Sequence, residues 1–318
     1  MGASIGVSAY PRDGEEAAGL IRCADVAMHH AKREGRNVCQ FFSEDLEHNS
    51  LERMMLESSL RMALERDEFR LHYQPQVDAH SRSIVGVEAL IRWQHPEMGM
   101  ISPIRFIPLA EETGQIIAIG DWVLDTACRQ ARAWLDAGHR LPVSINLSAR
   151  QFRQRDIAER VERSLTECQL PPELLELELT ESMVMHDPER AITALRRLRD
   201  MGVRVSIDDF GTGYSSLSYL KRFEIDKLKI DRSFVSDIPH DANDMAIAGA
   251  VIALGKSLKL RVVAEGVETL GQLDFLREQG CHDIQGFYFS RPVDAGQISA
   301  MLSDKKAGVP MSGRDVEL

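Results

Sequence analysis

An α/β fold built as a closed (β/α)8, TIM-like barrel is the architecture that this sequence predicts. Three observations predict it. Short β-branched or Leu-rich runs alternate with helical segments, the pattern of βα units around a parallel sheet. Five such runs plus an early strand pair, spread over residues 69–302, suit a closed barrel better than an open sheet. Each run also ends in an oxygen-bearing residue, which a barrel would gather at one mouth.

The elements follow in order. Residues 44–68, EDLEHNSLERMMLESSLRMALERDE, read as one charged linker helix. Leu51, Met55 and Leu60 fall near one stripe, and no Gly or Pro interrupts it. The 43 residues upstream are too few for an ordinary domain with its own core. FRLHYQPQVD (69–78) and SIVGVEALIRW (83–93) read as a hairpin, so the barrel opens with an antiparallel strand. The parallel runs are PVSINLS (142–148), LLELELTES (174–182), VRVSIDDFG (203–211), DKLKIDRS (226–233) and RVVAEGVE (261–268). Between them AITALRRLRDMG (191–202) and MAIAGAVIALGKSLKL (245–260) have helical spacing, and Gly202 is a helix-stop signal. The polar tail at 303–318 is expected to fray.

Bulk composition narrows the function. Hydrophobic residues make up 44% of the 318, enough for a sizeable core, and no run approaches a membrane span. The start lacks the basic-then-apolar order of a secretory signal. Five scattered cysteines without a CxxC pair read as reduced, buried thiols, which points to the cytoplasm. The net charge of −11 argues against duplex nucleic acid as a partner. A small phosphate ligand remains compatible where metal ions reverse the local sign.

The strand-end residues are Glu88, Asn146, Glu178, Asp208 with Asp209, Asp231 and Glu265. A ring of such acids is costly unless it is compensated, and hard cations such as Mg2+ or Mn2+ would compensate it. Adjacent aspartates suit two neighbouring metals of the kind used in phosphoryl transfer. The plainer alternative is that strand-end acids cap helices. Lys229, Arg92 and Asn146 have plain readings too: a structural ion pair, a surface salt bridge and a loop brace.

EALIRW (88–93), the stretch at 92–114, INLS (145–148), ELTES (178–182), DDFGTGYSSL (208–217), KLKIDRSFV (227–235), VAEGVE (263–268) and QGFYFSRP (285–292) occur in this order. Together they resemble the EAL-domain family of cyclic di-GMP phosphodiesterases over residues 49–302. SIGVSAYPRDGEEAAGLIRCADVAMHHAKREGRN (4–37) resembles the C-terminal end of a GGDEF domain without its signature. The implied organisation is a GGDEF remnant at 1–43, the linker helix at 44–68, an EAL barrel at 69–302 and the tail.

The resemblance implies hydrolysis of cyclic di-GMP to linear pGpG with two Mg2+ or Mn2+ ions. It places Glu88, Asn146, Glu178 and Asp208 on one metal, and Asp208 with Asp209 on a second. Glu265 would be the general base, and Lys229 would sit beside the attacking water. Arg92 would contact a substrate phosphate, and Gln74 and Gln285 would lie near the substrate. Glu181 would brace the loop after Asp209, which in the family leads to a homodimer interface. The glycines of that loop meet a backbone need, and Ser215 and Ser216 are placed to cap the following helix. No motif position departs from the family pattern. The alternatives are a silent cyclic di-GMP receptor, another metal-dependent barrel enzyme and a regulatory scaffold.

Overall fold

The structure, a computed structural model, describes residues 2–33, 37–154, 156–213 and 217–304. Ser215, Ser216 and the tail from residue 305 lie outside the described residues. The chain divides into two compact units, Met1–Glu68 and Phe69–Leu318.

The first unit contains β1 (Ile5–Val7), α1 (Ala17–Arg33), β2 (Cys39–Phe41) and α2 (Glu44–Ala63). β1 and β2 pair in parallel, and Cys23, Ala27 and Phe42 form a small buried cluster. α2 stops five residues short of the expected 68. The chain turns there, with Asp67 at φ 52° and the Glu68 amide donating to Ala63 O. Among its described side chains Leu46, Leu56, Leu60 and Ala63 are buried, whereas Met55 is exposed; the Leu51 side chain lies outside the described residues.

The second unit opens with β3 (Phe69–Asp78) and β4 (Ile84–His95), antiparallel to each other, and β5 (Gly99–Ile101) extends β4. α3 (Pro103–Thr113) and α4 (Ile116–Asp136) follow. Then come β6 (Val143–Asn146), α5 (Ala149–Phe152), α6 (Ile157–Cys168), β7 (Leu175–Thr180), α7 (Glu181–His186) and α8 (Pro188–Asp200). β8 (Arg204–Phe210), α9 (Leu217–Leu220), β9 (Lys227–Ile230), α10 (Ala242–Leu258) and β10 (Arg261–Ala264) continue the alternation. α11 (Leu270–Glu278), β11 (Asp283–Ile284) and α12 (Ala295–Ser303) complete it.

The order β3–β11–β10–β9–β8–β7–β6–β4 closes through the β3–β4 pair, giving an eight-strand barrel among the described residues. β3 is antiparallel to both neighbours, and the other contacts around the barrel are parallel. All parallel strands therefore present their C-terminal ends to one mouth. Local signals set the helix ends. Ser148 with Gln151, Thr269 with Gln272 and Asp294 with Gln297 form reciprocal capping boxes. Gly202, at φ 89°, follows α8 as the stop signal predicts. Phe69, Trp93, Phe106 and Trp122 pack edge-on and tilted, and anchor the β3–β4 hairpin against α3 and α4.

Candidate active site

The barrel brings the predicted residues together. Gln74, Glu88, Asn146, Asp208, Glu265 and Gln285 line one cavity of about 280 Å3 at the C-terminal mouth. Register explains the convergence. Gln74 pairs with Glu88 across β3–β4, Asn146 with Glu178 across β6–β7, and Thr180 with Asp208 across β7–β8. Glu265 follows β10, its amide donating to Ile230 O, and Gln285 follows β11, its amide donating to Ala264 O.

Lys229 stands at the centre. Its side chain is 1% exposed, and its ammonium contacts four carboxylates: Glu178, Glu265 at 2.5 Å, Asp208 at 3.3 Å and Glu88 at 3.7 Å. Gln285 Nε2 donates to Glu88 and to Gln74 Oε1 (3.1 Å), while Gln74 Nε2 donates to Ser290 O (3.1 Å). Asn146 Nδ2 donates to Glu88 Oε1. The carboxamides thus hold Glu88 from two sides.

Adjacent strand residues ordinarily face opposite ways, so Asp208 and Asp209 need a local device. β8 is irregular between Ile207 and Phe210, and Asp209 adopts φ 53°, a left-handed conformation that Asp tolerates better than most residues. Asp208 meets Lys229, and Asp209 lies against Asp231. Glu181 Oε2 accepts from the Gly211 amide at 2.9 Å. A Cβ at Gly213 would stand 2.9 Å from Glu181 Oε1, so that glycine lets the loop close over the brace.

The electrostatics are those of a crowded, desolvated cluster. Burial, and then Glu88, push Glu178 well above the usual carboxylate range against the pull of Lys229. Burial raises Glu265 to about 8, again opposed by Lys229. Burial, with Asp208 and Asp231, raises Asp209 to about 6. Burial pulls Lys229 down, but its four carboxylates together hold it well above the usual lysine value.

Four acids facing one ammonium leave the centre short of positive charge. Glu178 Oε1 is buried without a hydrogen-bond partner. Among the described residues no three His, Cys, Asp or Glu side chains close into a metal-ligand cluster; the acids gather around Lys229 instead. The donor set of carboxylate and carboxamide oxygens matches what hard divalent cations prefer.

Arg92 stands apart. It lines an adjoining, largely apolar cavity of about 420 Å3 that shares Leu90 and Asn146 with the first. Arg92 Nη1 donates to Ile91 O at 2.9 Å; burial lowers its pKa and Glu88 opposes the shift. Asp231 fulfils the capping alternative, accepting from the Ser233 amide at the start of a short 3-10 turn. Arg232, Glu268 and Phe287 line the mouth as well. Their only sequence signal is position beside the strand ends at 231, 265 and 285.

The EAL domain family matches residues 57–292. This chain belongs to the EAL family. It is 49% identical over 304 residues to the bifunctional diguanylate cyclase/cyclic di-GMP phosphodiesterase MucR of Pseudomonas aeruginosa, covering 95% of this chain and 44% of that protein. It is 46% identical to the cyclic di-GMP phosphodiesterase NbdA of the same organism, covering 95% and 39%. The EAL chain thus spans less than half the length of these curated relatives. A MucR phosphodiesterase structure in complex with cyclic di-GMP superimposes with a TM-score of 0.75 at 51% identity, covering 77% of this chain and 99% of that one. The EAL domain of Mycobacterium smegmatis DcpA gives 0.64 at 39% identity, covering 74% and 97%.

Proposed function

We propose that this EAL domain hydrolyses cyclic di-GMP to linear pGpG. The observation that carries the reading is Lys229 ringed by Glu88, Glu178, Asp208 and Glu265 at the barrel mouth. The likeness to MucR and NbdA, named as phosphodiesterases, supports it. Glu88, Asn146, Glu178 and Asp208 would hold one divalent cation, Mg2+ or Mn2+, and Asp208 with Asp209 a second. When bound, such a pair supplies charge neutralisation at the phosphate and makes water a better nucleophile near neutral pH.

The chain's own groups do the rest. Water attacks phosphorus, the bond to the 3′-oxygen breaks, and that oxygen takes up a proton from solvent as it leaves. Glu265 accepts the proton of the attacking water, which requires its carboxylate form. Lys229, 2.5 Å from Glu265 Oε1, holds that carboxylate in place and offsets repulsion between phosphate and acids. Arg92 offers a planar fork of donors to a phosphate from the adjoining cavity. Gln285 orients Glu88 and is itself held by Gln74, and Glu181 braces the backbone after Asp209.

Met1–Glu68 is read as a GGDEF remnant with its linker helix, because the match to MucR, named as bifunctional, covers 95% of this chain. The EAL unit is expected to pair as a homodimer, which analytical ultracentrifugation would show. No helix among the described residues is long and apolar enough to cross a membrane.

The deciding experiment incubates the chain with cyclic di-GMP and Mn2+ and follows pGpG by chromatography, with a chelator control. Binding without pGpG would replace this reading with that of a silent receptor.

A further inference from the structure

Beneath the acid ring lies a second polar layer. Strand residues two apart face the same side, and the lower layer repeats the upper one at that spacing. Gln76 lies below Gln74 on β3, Glu176 below Glu178 on β7, and Lys227 below Lys229 on β9. All three are buried, with Gln76 and Glu176 at 0% exposure. Lys227 Nζ meets Glu176 Oε2 at 2.8 Å and Gln76 Oε1 at 3.1 Å. Level with Lys227 in the strand register, Arg261 pairs with the buried Asp283 at 2.6 Å. Two cations and two anions make the layer formally neutral.

Barrel interiors are ordinarily filled with Val, Ile and Leu. A buried ion pair is poor value for stability, since apolar replacements of similar volume are often neutral or better. The layer's position suggests another use. Glu176 lies about 6.6 Å from Glu178 along the strand, with low-dielectric core between.

We infer that the neutral Lys227–Glu176–Gln76 layer sets the electrostatic background of the acid ring above it, and so tunes how tightly that ring holds divalent cations. This rests on the metal-dependent reading above. One uncompensated charge at such a range shifts the binding constant of a dication by about tenfold or more.

The test exchanges charge without changing shape. Gln76 Nε2 and Glu176 Oε1 have no hydrogen-bond partner, so an amide–carboxylate swap at either position breaks no bond made by those atoms. Gln76→Glu adds a negative charge, Glu176→Gln removes one, and the double variant restores neutrality. Lys227 keeps an oxygen partner in each.

Mn2+ binding to the full chain is measured by calorimetry without nucleotide, with Tm in chelator recorded for each variant. Gln76→Glu is expected to bind Mn2+ at least tenfold more tightly and Glu176→Gln at least tenfold more weakly. The double variant should return to within threefold of the parent. Should Glu176→Gln fail to fold, Gln76→Glu against the double variant carries the same contrast. Single variants that shift in the same direction, or stay within threefold of the parent, would overturn the inference and leave the layer a purely structural role. A parent chain that takes up no Mn2+ would overturn the metal reading, and this inference with it.

Discussion

Lys229 Nζ lies 2.5 Å from Glu265 Oε1; burial raises the pKa of Glu265, and the surrounding carboxylates raise that of Lys229 against the pull of burial. The contact joins the proposed base to the only cation touching the other three acids of the ring among the described residues. Removing either partner should therefore expose a different part of the mechanism.

Glu265→Gln keeps the side-chain shape and removes the proton acceptor. Turnover of cyclic di-GMP should fall at least ~100-fold, the lower end for loss of a general base, while nucleotide affinity stays within a few-fold. Single-turnover kinetics with equilibrium binding checks both. A variant that hydrolyses near the parent rate would remove Glu265 from the base role.

Lys229→Met should do more than slow the reaction. It leaves Glu88, Glu178, Asp208 and Glu265 without their shared cation in a buried site. Breaking such a cluster costs roughly 3–5 kcal/mol. Urea unfolding in chelator should show that loss, and Mn2+ should restore more stability to the variant than to the parent. Equal stabilisation of the two by Mn2+ would count against the ring as the cation site.

Much of this arrangement was legible from the chain alone. Alternating runs and strand-end acids located the barrel and its mouth because a period of two and a period of 3.6 leave separate marks. β11 escaped, since Asp283–Ile284 is too short to carry any period. Glu88 is mid-strand by hydrogen bonding, for β4 continues to His95, yet only Val87–Ala89 of β4 pair with β6, so the barrel's rim still falls at Glu88. The exposure of Met55 shows the opposite failure: a charged helix with several apolar stripes does not say which one is buried. The lower layer was present in ELEL and KLKI, whose acids and lysines recur every second residue. Charged side chains inside a barrel run against the usual burial rule, so Glu176 and Lys227 read as ordinary strand residues.

The raised carboxylates predict an unusual pH response in the metal-free protein. The folded pKa of Glu265 is about 8 against an ordinary 4.5, and that of Asp209 about 6 against 3.8. Between those values the folded state binds more protons than the unfolded one, so stability falls as pH rises. The fall should run from about pH 4 to about pH 8 and total up to several kcal/mol. Urea midpoints in chelator across this range measure it. Glu265→Gln should flatten the slope, and a midpoint that rises with pH would contradict the assignment.

Cation identity tests the demand for tight geometry. Ca2+ takes more ligands at longer distances than Mg2+. It should bind the ring and raise Tm while supporting at most a small fraction of the hydrolysis seen with Mg2+ or Mn2+. Comparable rates with Ca2+ would mean that close alignment of water and phosphate by the metal pair is not required.

The last test concerns the loop after β8. Glu181 Oε2 accepts from the Gly211 amide, and Gly211 is two residues from Asp209, which sits in a left-handed conformation. Releasing that amide removes a constraint on the turn that presents Asp209 to the site. Glu181→Ala should therefore weaken Mn2+ affinity by roughly tenfold, the range typical of groups that orient metal ligands, while nucleotide binding in chelator is largely kept. Glu181→Gln, which retains an oxygen acceptor, should recover most of the loss. If alanine and glutamine behave alike, the carboxylate's charge matters rather than its hydrogen bond to Gly211. If neither changes Mn2+ affinity, the loop is not coupled to Asp209.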